Sequence, residues 1–300
     1  MTDSRSKHLD LMMKEALAIE VESAKEAGAL GFVARALVQA TIPHRSTTEK
    51  TFTRENGNYV FSITNPSGKL PYGNVPRLLL AWLATEAVST RSRKIELGGS
   101  LSEFMGKLGL APTGGRWGSI PRVKEQSKRL FSSFIQCTYT GLDASGANVE
   151  AVQNMMIADS AELWWEPANI KQTGLFTSTV VLSERFYDEI ILNPVPIDLR
   201  ALRALKRSPM ALDIYCWLTY RMSYLIKPTQ IPWEALQGQF GAGYPTTGQG
   251  NRDFKKKFLH QLKHVQVVYP DVRVSEGKGG LLIAPSKPHV AKVYTLKSDD

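Results

Sequence analysis

Cysteine and histidine are both sparse in this 300-residue chain. The only cysteines, Cys137 and Cys216, are too few for a zinc finger or a disulfide framework. Both sit in apolar contexts and read as buried free thiols in a reducing compartment, so the protein is expected to be cytosolic. Of His8, His44, His260, His264 and His289, only His260 and His264 have the i, i+4 spacing of a metal pair, and no glutamate supports them. No His-x-His occurs, which removes the metal site a rolling-circle nickase needs. Gly241-x-Gly243-x4-Gly248 lacks the Gly-Lys-Ser/Thr ending of a phosphate-binding loop and reads as a turn-rich connection. Long hydrophobic runs are also missing. The most apolar stretch, residues 78–88, is too short for a membrane span and carries Glu86. The early Asp3, Asp10 and Glu15 do not suit a signal peptide. No cofactor, metal or catalytic constellation emerges, so the expectation is a non-enzymatic protein. A paired-carboxylate nuclease stays open, although acidic residues are scarce where basic ones cluster.

One pattern occurs twice. Ala81-Trp82-Leu83 lies in an apolar helix and is followed by a short strand at Ile95. Leu101-x2-Phe104-x3-Leu108-Gly109, a Gly-rich loop and a basic helix with Val123, Phe131 and Phe134 on one side come next. Further on, Cys216-Trp217-Leu218 precedes Ile231, then Trp233-x2-Leu236-x3-Phe240-Gly241, a second Gly-rich loop and a Lys-rich helix bearing Phe254, Leu262 and Val265. Each copy then runs into a hairpin. This is the order of a winged helix-turn-helix. The expected fold is therefore α+β, with two tandem winged helix-turn-helix domains behind an N-terminal extension of helices and a hairpin.

The predicted boundaries are 1–70 for that extension, 71–165 for the first winged helix, 166–197 for a connector, 198–296 for the second and 297–300 for a tail. Residues 8–40 read as helical, and residues 51–53 and 58–64 alternate around Glu55-Asn56-Gly57 as a hairpin. A long helix is expected over 75–89. The first wing is predicted from 134–140 and 149–157 around a neutral tip at 141–146. The connector should hold a strand near 179–182 and a helix near 184–192, and Asn193-Pro194-Val195-Pro196 is the expected interdomain break. The second wing is predicted from 265–274 and 280–284 around Glu276-Gly277-Lys278-Gly279. Trp82, Trp217 and Trp233 are assigned to the cores. Trp117, between glycines, either packs under the basic helix or meets sugar-phosphate, and packing is the expectation.

The formal net charge is +9 and it is concentrated, with residues 198–300 alone carrying +8. Residues 107–129 hold six basic side chains against Glu125 alone. Such clustering is the footprint of a polyanion site. In the first basic helix Ser119 is the expected N-cap and a predicted DNA contact, and Pro121 suits the first turn. Arg122 and Arg129 are the predicted readers of base edges, while Lys107, Arg116, Lys124 and Lys128 are predicted phosphate contacts. In the second helix, begun near Asn251, Arg252, Lys256, His260 and Lys263 face outward, flanked by Lys255 and Lys257, and should supply salt-dependent affinity. Lys278, at the wing tip, is placed to reach the minor groove or a phosphate.

Several segments resemble plasmid-encoded RepA replication initiators. They are Gly28-Ala29-Leu30-Gly31-Phe32-Val33-Ala34-Arg35 through Thr41 with Pro43-His44-Arg45, Leu70-Pro71-Tyr72-Gly73 with Pro76-Arg77, Pro112-Thr113-Gly114-Gly115-Arg116-Trp117-Gly118, and Lys128-Arg129-Leu130-Phe131. Pro196-Ile197-Asp198-Leu199 and Tyr215-x-Trp217-Leu218 agree in layout. The resemblance implies a bacterial protein that binds repeated, double-stranded plasmid origin DNA and helps open it. It also implies host partners, namely an initiator, helicase or helicase loader, and exchange between a repressing homodimer and an initiating monomer. A transcriptional repressor, including one acting on its own promoter, is the near alternative; a nicking replication enzyme is the distant one.

Overall fold

A computed structural model describes residues 2–98, 100–116, 118–142, 146–163, 178–241 and 243–291, with the backbone alone for residues 2–7. The expectations for Trp117, the first wing tip at 143–145, residues 166–177 of the connector and the tail at 297–300 lie outside them.

The chain opens with α1 (Thr2–Val21), then β1 (Leu30–Ala34) and the short α2 (Arg35–Gln39). Residues 8–40 are thus not continuously helical. Gly28 turns the chain with φ near 61°, and Gly31 brings β1 so close to Leu199 that a Cβ there would collide with its side chain. The predicted interdomain break is instead a strand, β9 (Pro194–Asp198), which pairs antiparallel with β1 from Leu30↔Asp198 to Ala34↔Pro194. Among the described residues the ladder has two strands, so alternate residues Pro194 and Pro196 can turn their missing N–H groups to the open side.

Two sets of elements recur in order. The first is α3 (Asn74–Thr90), β4 (Lys94–Gly98), α4 (Leu101–Lys107), α5 (Ser119–Phe131), then β5 (Phe134–Leu142) and β6 (Asn148–Met156). The second is α8 (Pro209–Met222), β10 (Thr229–Pro232), α9 (Trp233–Phe240), α10 (Gly248–Val268), then β11 (Val274–Gly277) and β12 (Gly280–Ile283). In each half the tryptophan of the first helix meets a phenylalanine edge-on at 5.4 Å, Trp82 with Phe104 and Trp217 with Phe240. Trp82, Trp217 and Trp233 are all buried.

The sheets of the two halves close differently. In the second half, β10 pairs with the hairpin itself, giving the order β10-β12-β11. In the first, β4 pairs with β8 (Ser178–Leu182), which pairs in turn with β7 (Ala158–Glu162). The β5–β6 hairpin meanwhile extends the N-terminal hairpin β2 (Thr51–Asn56) and β3 (Tyr59–Thr64) into a four-stranded sheet ordered β2-β3-β5-β6. The second hairpin is also shorter than expected. Residues 265–268 belong to α10, whose Val265 and Val268 are buried on its inner face, and the strand begins only at Val274.

Residues of the extension 1–70 pack into the cores of both halves. Phe52, Phe61 and Ile63 of its hairpin join the core built by α3, α5 and α6 (Glu184–Leu192). Met12, Val33 and Val38 join the core built by α7 (Leu199–Leu205), α8, α9 and α10. Leu78 and Ala81 of α3 belong to this second core as well, so α3 is buried from both sides. Among the described residues, no helix is long and apolar enough to cross a membrane. Cys137 and Cys216 are free thiols.

Candidate nucleic-acid interface

The two basic helices begin in the same way. Gly118 precedes α5, and a Cβ on it would overlap the carbonyl oxygens of Thr113 and Gly114; one on Gly250, in the first turn of α10, would overlap that of Pro245. In both halves the Gly-rich turn folds back against the start of the following helix, and only glycine permits that approach. The caps differ from those expected. Gly118 occupies the N-cap of α5, and Ser119 is the first helical residue. Ser119 is buried; its Oγ donates to the Ala111 carbonyl at 2.7 Å and accepts from the Thr113 amide at 2.9 Å. It ties the turn to the helix and is not available to a ligand. In α10 the cap is Thr247, whose side chain accepts from the Gly250 amide, so the helix starts three residues before Asn251.

On α5, Arg122 and Lys128 are exposed and Lys124 is half-buried. Arg129, expected to point outward, is turned in. Its side chain is only 14% exposed, its Nη1 donates to the Leu70 carbonyl at 3.0 Å, its Nη2 pairs with Glu125, and its guanidinium lies 5.3 Å from the centre of the Tyr72 ring. A base reader needs its donor fork free, so Arg129 leaves the set of predicted DNA contacts. Lys107 on α4 is partly exposed, 3.5 Å from Glu103 and 5.8 Å from the Trp82 ring. Arg116, in the turn before α5, is exposed.

On α10, Arg252, Lys256, Lys257, His260 and Lys263 are exposed while Phe254, Phe258 and Leu262 are buried. Arg252 is steadied by Gln249 at 2.8 Å. Lys255 points the other way, pairing with Glu276 of the hairpin at 2.6 Å and lying 5.2 Å from the Trp233 ring. Lys278 stands exposed at the hairpin tip, its carbonyl accepting from Gln230.

Positive charge dominates one flank of α10. Burial pushes the His264 pKa down, and His260 and Lys257 push it further. His8 is lowered by burial, then by Arg207, His264 and Lys206; Lys206 is lowered by burial, Arg203 and Arg207. The cations Lys206, Arg207 and Lys257 disfavour further positive charge beside them, and such a group creates a potential that favours an anion. Arg207, between α7 and α8, and Arg45, after α2, line a cleft beside Lys257 of α10, and no local sequence pattern marks either. Neither lies on a periodic helix face, and only folding brings them near α10.

The two halves meet through specific polar contacts. Asp213 of α8 accepts from Arg77 of α3 through two bonds of 2.7 Å each, and from His44 at 2.7 Å. Arg77 also donates to the carbonyls of Gly73, Pro43 and Ile42. The neighbouring guanidinium and imidazole hold the Asp213 carboxyl below its ordinary pKa despite burial, while burial outweighs Asp213 and lowers His44. Lys206 donates to the Gly109 carbonyl in the α4–α5 turn at 2.7 Å, and Asn74 to the Lys206 carbonyl at 2.6 Å. The two basic helices are therefore held at a defined separation.

The family model described as "Plasmid encoded RepA protein" matches residues 70–234, from just before α3 into the start of α9. The chain belongs to the plasmid-encoded RepA family. This is a family of plasmid replication initiators. The match takes in Leu70-Pro71-Tyr72-Gly73, the first Gly-rich turn and α5; the 28–45 segment and α10 lie outside it. Among solved structures, the chain resembles a selenomethionine crystal structure of domains 2 and 3 of RctB, with a TM-score of 0.54 at 12% identity, covering 86% of this chain and 99% of that one. A second RctB domain 2–3 structure matches with a TM-score of 0.49 at 13% identity, covering 82% and 94%. No curated protein matches the chain. The RctB likeness is one of fold: a mixed α/β architecture spanning both halves.

Proposed function

We propose that this RepA-family protein binds repeated plasmid origin DNA sequence-specifically through two winged helix-turn-helix units, opens the duplex and recruits host replication proteins. The observation carrying this reading is the recurrence of helix, strand, helix, Gly-rich turn, basic helix and hairpin, with a glycine seating the turn against the basic helix in both copies. In this reading α5 and α10 enter successive major grooves on one face of the DNA, about 34–36 Å apart along the axis. The contacts between the halves favour a fixed spacing of the two helices, as binding to two half-sites at a set separation requires.

Arg122 is the remaining candidate for bidentate readout of guanine from α5; Lys107, Arg116, Lys124 and Lys128 hold phosphates. On α10, Arg252, Lys256, Lys257, His260 and Lys263 face the DNA, and Lys278 takes a phosphate or the minor groove. Lys255 acts through Glu276 by holding the hairpin against the helix. The protein works without catalysing a covalent step, and its partners are a host initiator, helicase or helicase loader, and a second copy of itself.

A nuclease footprint over the DNA flanking the gene tests the reading. Protection should repeat with a period set by the two helices, and a minimal plasmid carrying gene and repeats should replicate only with the gene intact. Replication without it, or nicking of supercoiled origin DNA by the purified protein with a divalent metal, would overturn the corresponding part of the proposal. Lys256→Ala and Lys257→Ala should each flatten the salt dependence of binding by about 0.9 units of log–log slope.

A further inference from the structure

A cleft of about 510 Å³ opens between residues 43–52 and the second half, beside α10. Its cations come from three separate segments: Arg45 after α2, Arg207 between α7 and α8, and Lys257 on the flank of α10. All three are exposed. Glu49 is the single carboxylate among the lining residues, and burial lowers the pKa of the lining imidazole, His44, which is hydrogen-bonded to Asp213. Tyr244 of the α9–α10 turn forms part of the wall. The cleft thus adjoins both the outward face of α10, through Lys257, and the turn that precedes it.

We propose that this cleft seats a stretch of DNA phosphodiester backbone, with Arg45 and Arg207 as phosphate contacts outside the two helix-turn-helix units. The inference rests on the DNA-binding reading above and extends it to a site built by the N-terminal segment and the α7–α8 turn. Three lines favour a polymer backbone over a free phosphate. The cations are spread along an open cleft rather than gathered around one point. The cleft is continuous with the helix proposed to enter the groove. It also flanks the turn of a helix-turn-helix, beside which the backbone of a bound duplex runs.

The test is a set of anisotropy titrations of the full chain against an origin duplex and a scrambled duplex, from about 50 to 200 mM salt. Three forms are compared: wild type, Arg45→Ala/Arg207→Ala, and a Lys227→Ala control. Lys227 lies beyond the far end of α8, a helix about 21 Å long, from Arg207. The double variant should lose about 1.8 units of salt slope and at least about tenfold in affinity on both duplexes alike, because phosphate contacts carry no sequence information. The control should match wild type. Arg45→Lys/Arg207→Lys keeps the charge and should restore the slope; an equal loss in the Lys pair would mark a packing role and overturn the proposal.

An unchanged slope in the Ala pair removes the cleft from the interface, even if wild type prefers the origin. If wild type shows no such preference, the sequence-specific reading fails, yet the slope comparison still decides the cleft. Inorganic phosphate that raises the melting temperature of wild type but not of the Ala pair, with slopes equal, would make this a free-phosphate site and overturn the proposal.

Discussion

Arg129 shows how a side chain can sit on the outward arc of a helical wheel and still turn in. On the wheel it faces away from Val123 and Leu130, but its long stem folds over Tyr72 and its guanidinium reaches the Leu70 carbonyl and Glu125. Only the Glu125 pair, at i, i+4, could have been read from spacing. Arg129→Ala should therefore leave base preference unchanged and cost on the order of 1–3 kcal/mol in denaturant unfolding, since it breaks charge-assisted bonds and uncovers the Leu70 carbonyl. A relaxed base preference with unaltered stability would contradict this placement. His289 offers a titration test. It is hydrogen-bonded through Nδ1 to the Tyr215 hydroxyl at 2.7 Å, and burial lowers its pKa from 6.5 to about 4. Between those values the unfolded chain binds more protons than the folded one, so stability rises with pH across that window. The contribution is full above pH 6.5 and lost as pH falls toward 4. In His289→Gln the decline in melting temperature below pH 6.5 should be shallower, though not absent, because His44 is lowered as well.

At the level of elements, the recurring helices were legible because each carries a 3.6-residue apolar face, and the hairpin 51–64 because its alternation brackets an Asn-Gly turn. The strands β1 and β9 were not. Residues 30–34 are apolar throughout, and so short a run cannot be told from a buried helix by period alone. The end of α10 is ambiguous in sequence for a related reason: Val265 and Val268 suit a strand by type but fall on the buried face of the helix in register with Phe254, Phe258 and Leu262. The glycines at the starts of the basic helices make a prediction of their own. Gly118→Ala and Gly250→Ala should each cost on the order of 1–3 kcal/mol, because the added methyl must displace turn backbone rather than a flexible side chain. Both should weaken DNA binding beyond what the lost stability explains, whereas Gly243→Ala, with open space around its Cβ position, should do neither.

At the scale of the molecule, the two halves share one structure through α3, the β1–β9 ladder and the buried Arg77–Asp213 pair. Calorimetry on the full chain should therefore show one unfolding transition, and separate melting of the two halves would contradict it. Asp213→Ala leaves the buried Arg77 guanidinium without its carboxylate and should cost about 3–5 kcal/mol. Asp213 is held below its ordinary pKa, so its contribution is present above the unfolded value, about 3.9, and disappears as pH falls through the folded value. The stability gap between wild type and the variant should close at strongly acidic pH.

Amphipathic periodicity, turn residues and clustered charge are local properties, and by themselves they determined the helix order, the duplication, most hairpins and the two basic helices. The segments at 28–45, 70–77, 112–118 and 128–131 together pointed to the family. Contacts between residues distant in the chain were decided only by the tertiary structure. These include the pairing of β5 with β3 and of β4 with β8, the joining of the N-terminal segment to both cores, the inward turn of Arg129 and the gathering of Arg45, Arg207 and Lys257 around one cleft. The physical reason is that burial and ion pairing depend on separation in space, and no spacing along the chain encodes which distant carboxylate or carbonyl a given cation will meet. The basic helices could be read from the sequence; which of their charges stay free for a partner was settled by the fold.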